Sequence, residues 1–261
     1  MVENQIIAAE LKKILKRSIP EFRGLLNEND ANACLLEPDK FACFHEFAKP
    51  KTIKGGILVI GLKPHLGINK TKDSPNSNPC KIENENNSEW REKFKIDEKT
   101  NTSNCLLLKY PYFKFFTESG GKLNLREINP GVEFTDVRFT DVILILSVSK
   151  KQLMCILRKK QVERNNDLLD KAICIGWKYY LKNVLQLMRP NVMVSNSSDL
   201  SSFLEKNCAR DKEKNKDDTL NVKLDGFDMP CVLSRQVTCQ RATDKWAPMR
   251  LKNSIKNAIR K

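Results

Sequence analysis

The sequence predicts an α/β protein, a three-layer α/β/α sandwich with a mainly parallel central sheet. Three observations lead there. Apolar runs of strand length recur along the chain, amphipathic helical patterns alternate with them, and several runs end abruptly in glycine, proline or short polar residues. Strands that alternate with helices make parallel sheets covered on both faces. At 261 residues the chain is long enough to bury a full core, and one domain over 1–261 with insertions accounts for it better than two complete domains.

The elements follow in order. QIIAAELKKILK, Gln5 to Lys16, gathers Ile7, Leu11, Ile14 and Leu15 at helical spacing with lysines opposite, which reads as an amphipathic helix lying on a core. Ile57-Leu58-Val59-Ile60 is unbroken and largely β-branched, the pattern of a central strand buried on both faces. Gly61, Pro64 and Gly67 punctuate it, so the strand stops near Leu62. From about 69 to 104 the chain is too poor in apolar residues to offset its ordering entropy and reads as a long insertion. YPYFKFFTES, Tyr110 to Ser119, is either plain core or the aromatic wall of a cleft.

FTDVILILSV, Phe139 to Val148, predicts a second buried strand, entered through the near-repeat FTDVRFTDV. KKQLMCILRKKQVER then predicts a basic helix. A longer helix over about Asp167 to Met188 sets Ile173, Trp177, Tyr180, Leu181, Val184, Leu185 and Met188 on one face. Arg189-Pro190 ends it, because the residue before proline is pushed out of the helical region. Asn191 to Asn196 is a third strand, and a helix capped by Ser197 or Ser198 follows. A charged stretch, about 205 to 219, reads as a second insertion. NVKLDG leads into a strand from Met229 to Ser234, and a final helix spans about Ala247 to Arg260.

Composition narrows the function classes. With 46 Lys+Arg against 32 Asp+Glu the net charge is +14, which suits a polyanionic partner, nucleic acid before membrane; the competing reading is a lysine- and asparagine-rich composition with no partner behind it. Nine cysteines form no CxxC pair and no Cys/His group at zinc spacing, so neither a metal nor another cofactor is indicated. The odd count without a signal peptide implies reduced thiols in the nucleus or cytoplasm. No run approaches the roughly 20 apolar residues that span a bilayer.

If the sheet is parallel, the ends of three strands share one rim. GLKPHLG follows the first strand, Asn196 and three serines close the third, and SRQVTCQR follows the last. Such a rim is where ligands bind in open α/β sheets, and helix N-termini there favour anions. Phosphate loops of the GxxxxGK or GxGxxG kind are absent, as is a GxSxG elbow. With only His45 and His65, nothing marks a Ser–His–Asp triad.

Read in order, these motifs resemble the uracil-DNA glycosylase superfamily. ILVIG followed by Leu62-Lys63-Pro64-His65 is similar to its first motif, a strand entering a loop with a water-positioning residue and a proline. VLQLMRPNVMVSNSSDLSSFL resembles its helix, Arg-Pro, strand and helix segment, and PCVLSRQVTCQRATDKWAPMRLKNSIKNAI its last strand, active-site loop and final helix. The likeness covers about Ile57 to the C-terminus apart from the insertions. Two departures stand out: Lys63 replaces the usual acid or amide, and Ser234-Arg235-Gln236 replaces the His-Pro-Ser signature.

The resemblance implies a monomeric DNA-binding protein that flips a base into a pocket and cleaves its N-glycosidic bond. Gly61, Pro64 and Ser234 would line the pocket, and Phe113, Phe115 or Phe116 would stack on the base. Asn196 offers both donor and acceptor to a base edge. His65 or Arg235 can stabilise the departing anion; His65 is equally well a loop histidine bonded to backbone. Lys63 is either a solvated phosphate contact or a desolvated amine able to act as a nucleophile. Arg235, Gln236 and Arg241 would contact DNA, the arginines through its phosphates. Asp136 and Asp141 can act on water or serve as caps and turn formers, and Cys231 and Cys239 read as small buried residues. Two rival functions share the fold: a non-catalytic nucleic-acid-binding member, and a nucleotide or nucleoside hydrolase.

Overall fold

The computed structural model describes residues 2–35, 55–63, 96–97, 102–103, 137–145, 147, 150–158, 165–209, 218–234 and 247–260. Strand β1 (Ile57–Gly61) is followed by a small antiparallel ribbon of β2 (Ile96–Asp97) and β3 (Thr102–Ser103), which lies inside the first expected insertion. Then come β4 (Val137–Asp141), β5 (Val192–Ser195), β6 (Thr219–Leu224) and β7 (Phe227–Leu233). The main sheet has the order β4-β1-β5-β7-β6. Its first four strands are mutually parallel, and β6 is an antiparallel edge on β7.

Every residue of Ile57–Ile60 and of β5 is buried. Successive side chains of a strand point to opposite faces, so both faces of the sheet centre are covered, as in an α/β/α sandwich. The helices are α1 (Val2–Arg23), α2 (Glu28–Cys34), α3 (Lys150–Arg158), α4 (Asn165–Ile175), α5 (Lys182–Met188), α6 (Ser198–Asn207) and α7 (Ala247–Arg260). A π-helical turn, Gly176–Leu181, joins α4 to α5 without a break. Ile7, Leu11, Leu15 and Phe22 bury the apolar stripe of α1, which packs along the π turn and α5. Ser18 Oγ lies 2.7 Å from the Ile14 and Tyr179 carbonyl oxygens and ties the two helices together. Helix α7 packs on β5 and β7. Among the described residues no helix is long and apolar enough to cross a membrane.

Chain order and spatial order disagree in one informative way. From β1 the chain moves to β4 on one side, then returns past β1 to β5 and β7 on the other. This reversal of direction makes the carboxyl ends of β1 and β5 the topological switch point, which is where open α/β sheets bind ligands. The loops expected to carry chemistry therefore start at this switch point.

The structure corrects the sequence reading at two elements. The second strand is Val137–Asp141 rather than Phe139 to Val148. Beyond it, the Val142 and Ile143 N–H groups still donate to the Gly61 and Leu62 carbonyls, and Ile145 then bridges Leu35. The run Val142–Ile145 is fully buried, so its hydrophobicity reports core position, while its pairing with the chain after β1 stops at Ile143. The second insertion is also shorter than expected. Helix α6 runs to Asn207, Ala209 bridges Val222, and Thr219–Leu224 is a strand whose last four residues alternate exposed and buried. Asp225-Gly226 turns it into β7, with Gly226 at φ 91°.

Other details follow the sequence. Arg189 leaves the helix in the left-handed region, at φ 44°, just before Pro190, and Ser197 caps α6 by accepting from the Leu200 N–H.

The π turn has a steric partner. A Cβ built on Gly176 would fall 1.8 Å from the Val142 carbonyl oxygen, so only glycine lets the helix lie this close to the chain leaving β4. One turn on, Tyr180 Oη and Thr140 Oγ1 share a buried hydrogen bond of 2.9 Å. Because the opposing atom is backbone, Gly176→Ala should be destabilising at the upper end of the roughly 1–3 kcal/mol typical of overpacking, or beyond. The midpoint of urea unfolding reads this directly, and an unchanged midpoint would refute the close contact.

Candidate functional site

The carboxyl rim of the parallel strands brings four of the sequence candidates together: Gly61, Lys63, Asn196 and Ser234. It adds Asp141, which the sequence left open between water activation and a turn. Gly61 and Asp141 are partners at the ends of β1 and β4. A Cβ on Gly61 would meet Asp141 Oδ1 at 2.2 Å, so the carboxylate folds over the glycine and uses the space a side chain would take. Gly61 has an ordinary negative φ; its role is close approach, not backbone freedom.

Lys63 is half-buried two residues further on. Its Nζ donates to the Ser147 carbonyl, so the ammonium is not a freely solvated charge. Burial pulls its pKa down to about 8, with Asp141 pulling the other way. Burial likewise pushes the Asp141 carboxyl up to about 7, with Lys63 opposing. In both, desolvation outweighs mutual attraction. A carboxyl and an amine thus share one rim, each poised near neutrality, which is the usual condition of groups that exchange protons with a ligand.

Across the switch point, the Asn196 N–H donates to the Ile60 carbonyl at 2.8 Å and the Ser234 N–H to the Ser195 carbonyl at 2.9 Å. Ser234 Oγ donates to Asn196 Oδ1 at 3.1 Å, which orients the amide. Below them, Ser195 Oγ and Ser201 Oγ are 3.0 Å apart. Helices α3 and α6 both begin at this rim and are pinned together by Lys150 Nζ on Asp199, at 2.7 and 2.8 Å.

Ser147 is the residue that sequence reasoning missed. It is fully buried, its carbonyl holds Lys63, and its Oγ has no partner among the described residues. No motif could have flagged it, since it works through a backbone atom 84 positions away from Lys63. Pro64, His65, Phe113, Phe115, Phe116, Asp136, Arg235, Gln236, Cys239 and Arg241, like His45, lie outside the described residues. Cys231 is fully buried on β7, as read, and burial pushes its thiol far above the usual range.

The opposite rim carries ordinary surface contacts. Lys182 and Gln186 hold Asp225 at 3.0 and 3.3 Å, and Arg189 stacks over Phe227 at 5.4 Å. Neither a scan against protein-family models nor a search of curated proteins finds a match to this chain.

The Lys63–Asp141 pair has a measurable cost. Between pH 3.8 and about 7 the folded protein keeps a proton on Asp141 that the unfolded chain has lost, so stability falls as pH rises. Between about 8 and 10.5 the unfolded chain keeps a proton on Lys63 that the folded protein has lost, so stability rises with pH. The pair therefore contributes least between about 7 and about 8. The double variant Asp141→Asn with Lys63→Met should raise the Tm in that window and flatten the dip. A lower Tm would mean the pair is net stabilising.

Proposed function

We propose that the chain is a uracil-DNA glycosylase-like protein that binds DNA and excises a damaged base by hydrolysing its N-glycosidic bond. The observation that supports this most is the apposition of Asp141 and Lys63 at the switch point. Breaking the bond leaves positive character on the deoxyribose and negative charge on the departing base. An ionised Asp141 can orient a water and take its proton as it adds to C1′, and a protonated Lys63 can stabilise the leaving base. Asn196 supplies N–H groups for a base carbonyl, oriented by Ser234. Asp141 thereby takes up the water-positioning task that the superfamily's first motif gives to the residue replaced here by Lys63.

The net charge of +14 supports a polyanionic partner, and a DNA substrate agrees with a nuclear or cytoplasmic site of action and a single-copy enzyme. Phosphate-tracking binding should weaken steeply with salt.

The test is single-turnover cleavage of labelled oligonucleotides carrying uracil, hypoxanthine or xanthine. Release of a modified base is expected, with Asp141→Asn slower by about 10²–10⁴-fold at unchanged DNA affinity. Gly61→Ala is a second probe, since its Cβ collides with the Asp141 side chain alone, the nearest backbone atom, the Thr140 carbonyl oxygen, lying at 3.8 Å. It should fold normally yet lose activity in parallel. Salt-sensitive DNA binding without cleavage at enzyme excess would replace this reading with the non-catalytic one, and turnover of free nucleotides with the hydrolase.

A further inference from the structure

We propose that Lys63 is also a nucleophile, forming an imine with the aldehyde of an abasic deoxyribose, and that the same rim cuts the DNA strand at that sugar by β-elimination. The proposal rests on the rim being a DNA base-excision site, and it adds an activity that base hydrolysis does not need.

Three features separate Lys63 from an ordinary surface lysine. Its amine is half-buried and donates to the Ser147 carbonyl, so it is positioned before a ligand arrives. Asp141, the group that acts on it electrostatically, is a carboxyl whose place is fixed over Gly61. Its environment favours the neutral amine that nucleophilic attack requires. Lys150, on the same rim, is the contrast: it is exposed, and both oxygens of Asp199 occupy its ammonium.

Excision of a base leaves a hemiacetal at C1′ that opens to an aldehyde beside this amine. Neutral Lys63 Nζ adds to C1′, and the proton lost from nitrogen passes to the aldehyde oxygen. Protonated Asp141 then gives its proton to that hydroxyl, which leaves as water while C1′ and Nζ form the iminium. Asp141, now ionised, removes a proton from C2′, and the electron pair released expels the 3′ phosphate as the C3′–O bond breaks. Water hydrolyses the unsaturated iminium, returning the Lys63 amine and an unsaturated aldehyde at the strand end. No oxidant, reductant or metal enters the balance.

The experiment uses the full-length protein with an oligonucleotide that already contains an abasic site, treated with borohydride. Parallel arms use 2-deoxyribose 5-phosphate and oligonucleotides carrying uracil, hypoxanthine or xanthine. The expected result is a reduced protein–DNA adduct on the abasic strand that maps to Lys63, with strand cleavage when borohydride is omitted. Both should vanish in Lys63→Arg, which keeps the charge; Asp141→Asn should still be trapped but cut more slowly. No adduct at protein excess, or one that persists in Lys63→Arg, would overturn the proposal. Equal trapping of the free sugar phosphate would overturn DNA as the source of the aldehyde. Because the abasic strand needs no excision, an adduct there without base release from the uracil, hypoxanthine or xanthine strands would keep the lyase and discard the glycosylase.

Discussion

Strand β1 has no free edge. Its backbone is paired in parallel with β4 over five residues on one side and with β5 over four on the other, and both of its faces are buried. A one-residue slip would exchange the two faces and break both ladders, so this register is the constraint on which the rim depends. It sets Gly61 beside Asp141 and, through the Asn196 N–H on the Ile60 carbonyl, brings the end of β5 level with the end of β1. Lys63 then needs only a two-residue reach to meet the chain that has just left β4. The site is a consequence of where three strands stop.

What the sequence made legible follows from how strongly each feature depends on neighbours in the chain. The four apolar residues of β1, the helix stop at Arg189-Pro190 and the Ser197 cap are local effects, and each was readable. Val142–Ile145 shows the limit. An apolar run announces burial, but whether it pairs depends on where its partner ends, and β1 ends at Gly61. Likewise β6 begins at Thr219, where the expected insertion ends, and covers a segment read only as leading into the last strand; its pairing with β7 makes it an edge strand. The site divides the same way. Gly61, Lys63, Asn196 and Ser234 were visible as polar or glycine positions after strands. The preference for Asp141 as a site group, and the hold of Ser147 on Lys63, came from contacts across 80 positions or more.

Desolvation governs the chemistry of the rim. Two opposite charges brought together in water would each deepen the other's ionisation; here each is moved toward its neutral form. That is the expected balance when the lost hydration of both groups exceeds their attraction. A fold selected for stability alone would gain by filling this place with apolar side chains. The groups retained here leave a carboxyl able to accept a proton and an amine able to lose one, which are the properties that bond cleavage at a sugar uses.

The position of Asp141 is set from beneath by the core. Its neighbour Thr140 is fixed by the buried bond to Tyr180, and the next residue, Val142, lies under Gly176. Both contacts come from one π turn. Such a turn adds a residue to the helical circuit, which rotates the following side chains relative to a continuous α-helix. Tyr180 reaches Thr140 from that altered phase while Gly176 abuts the Val142 carbonyl. With the backbone gripped on either side of Asp141, the carboxylate has little freedom beyond its own torsions, and Gly61 leaves it one open place to lie. A helix irregularity far from the rim in sequence thus acts on the same few atoms as the strand register, and the two together give the carboxylate one address.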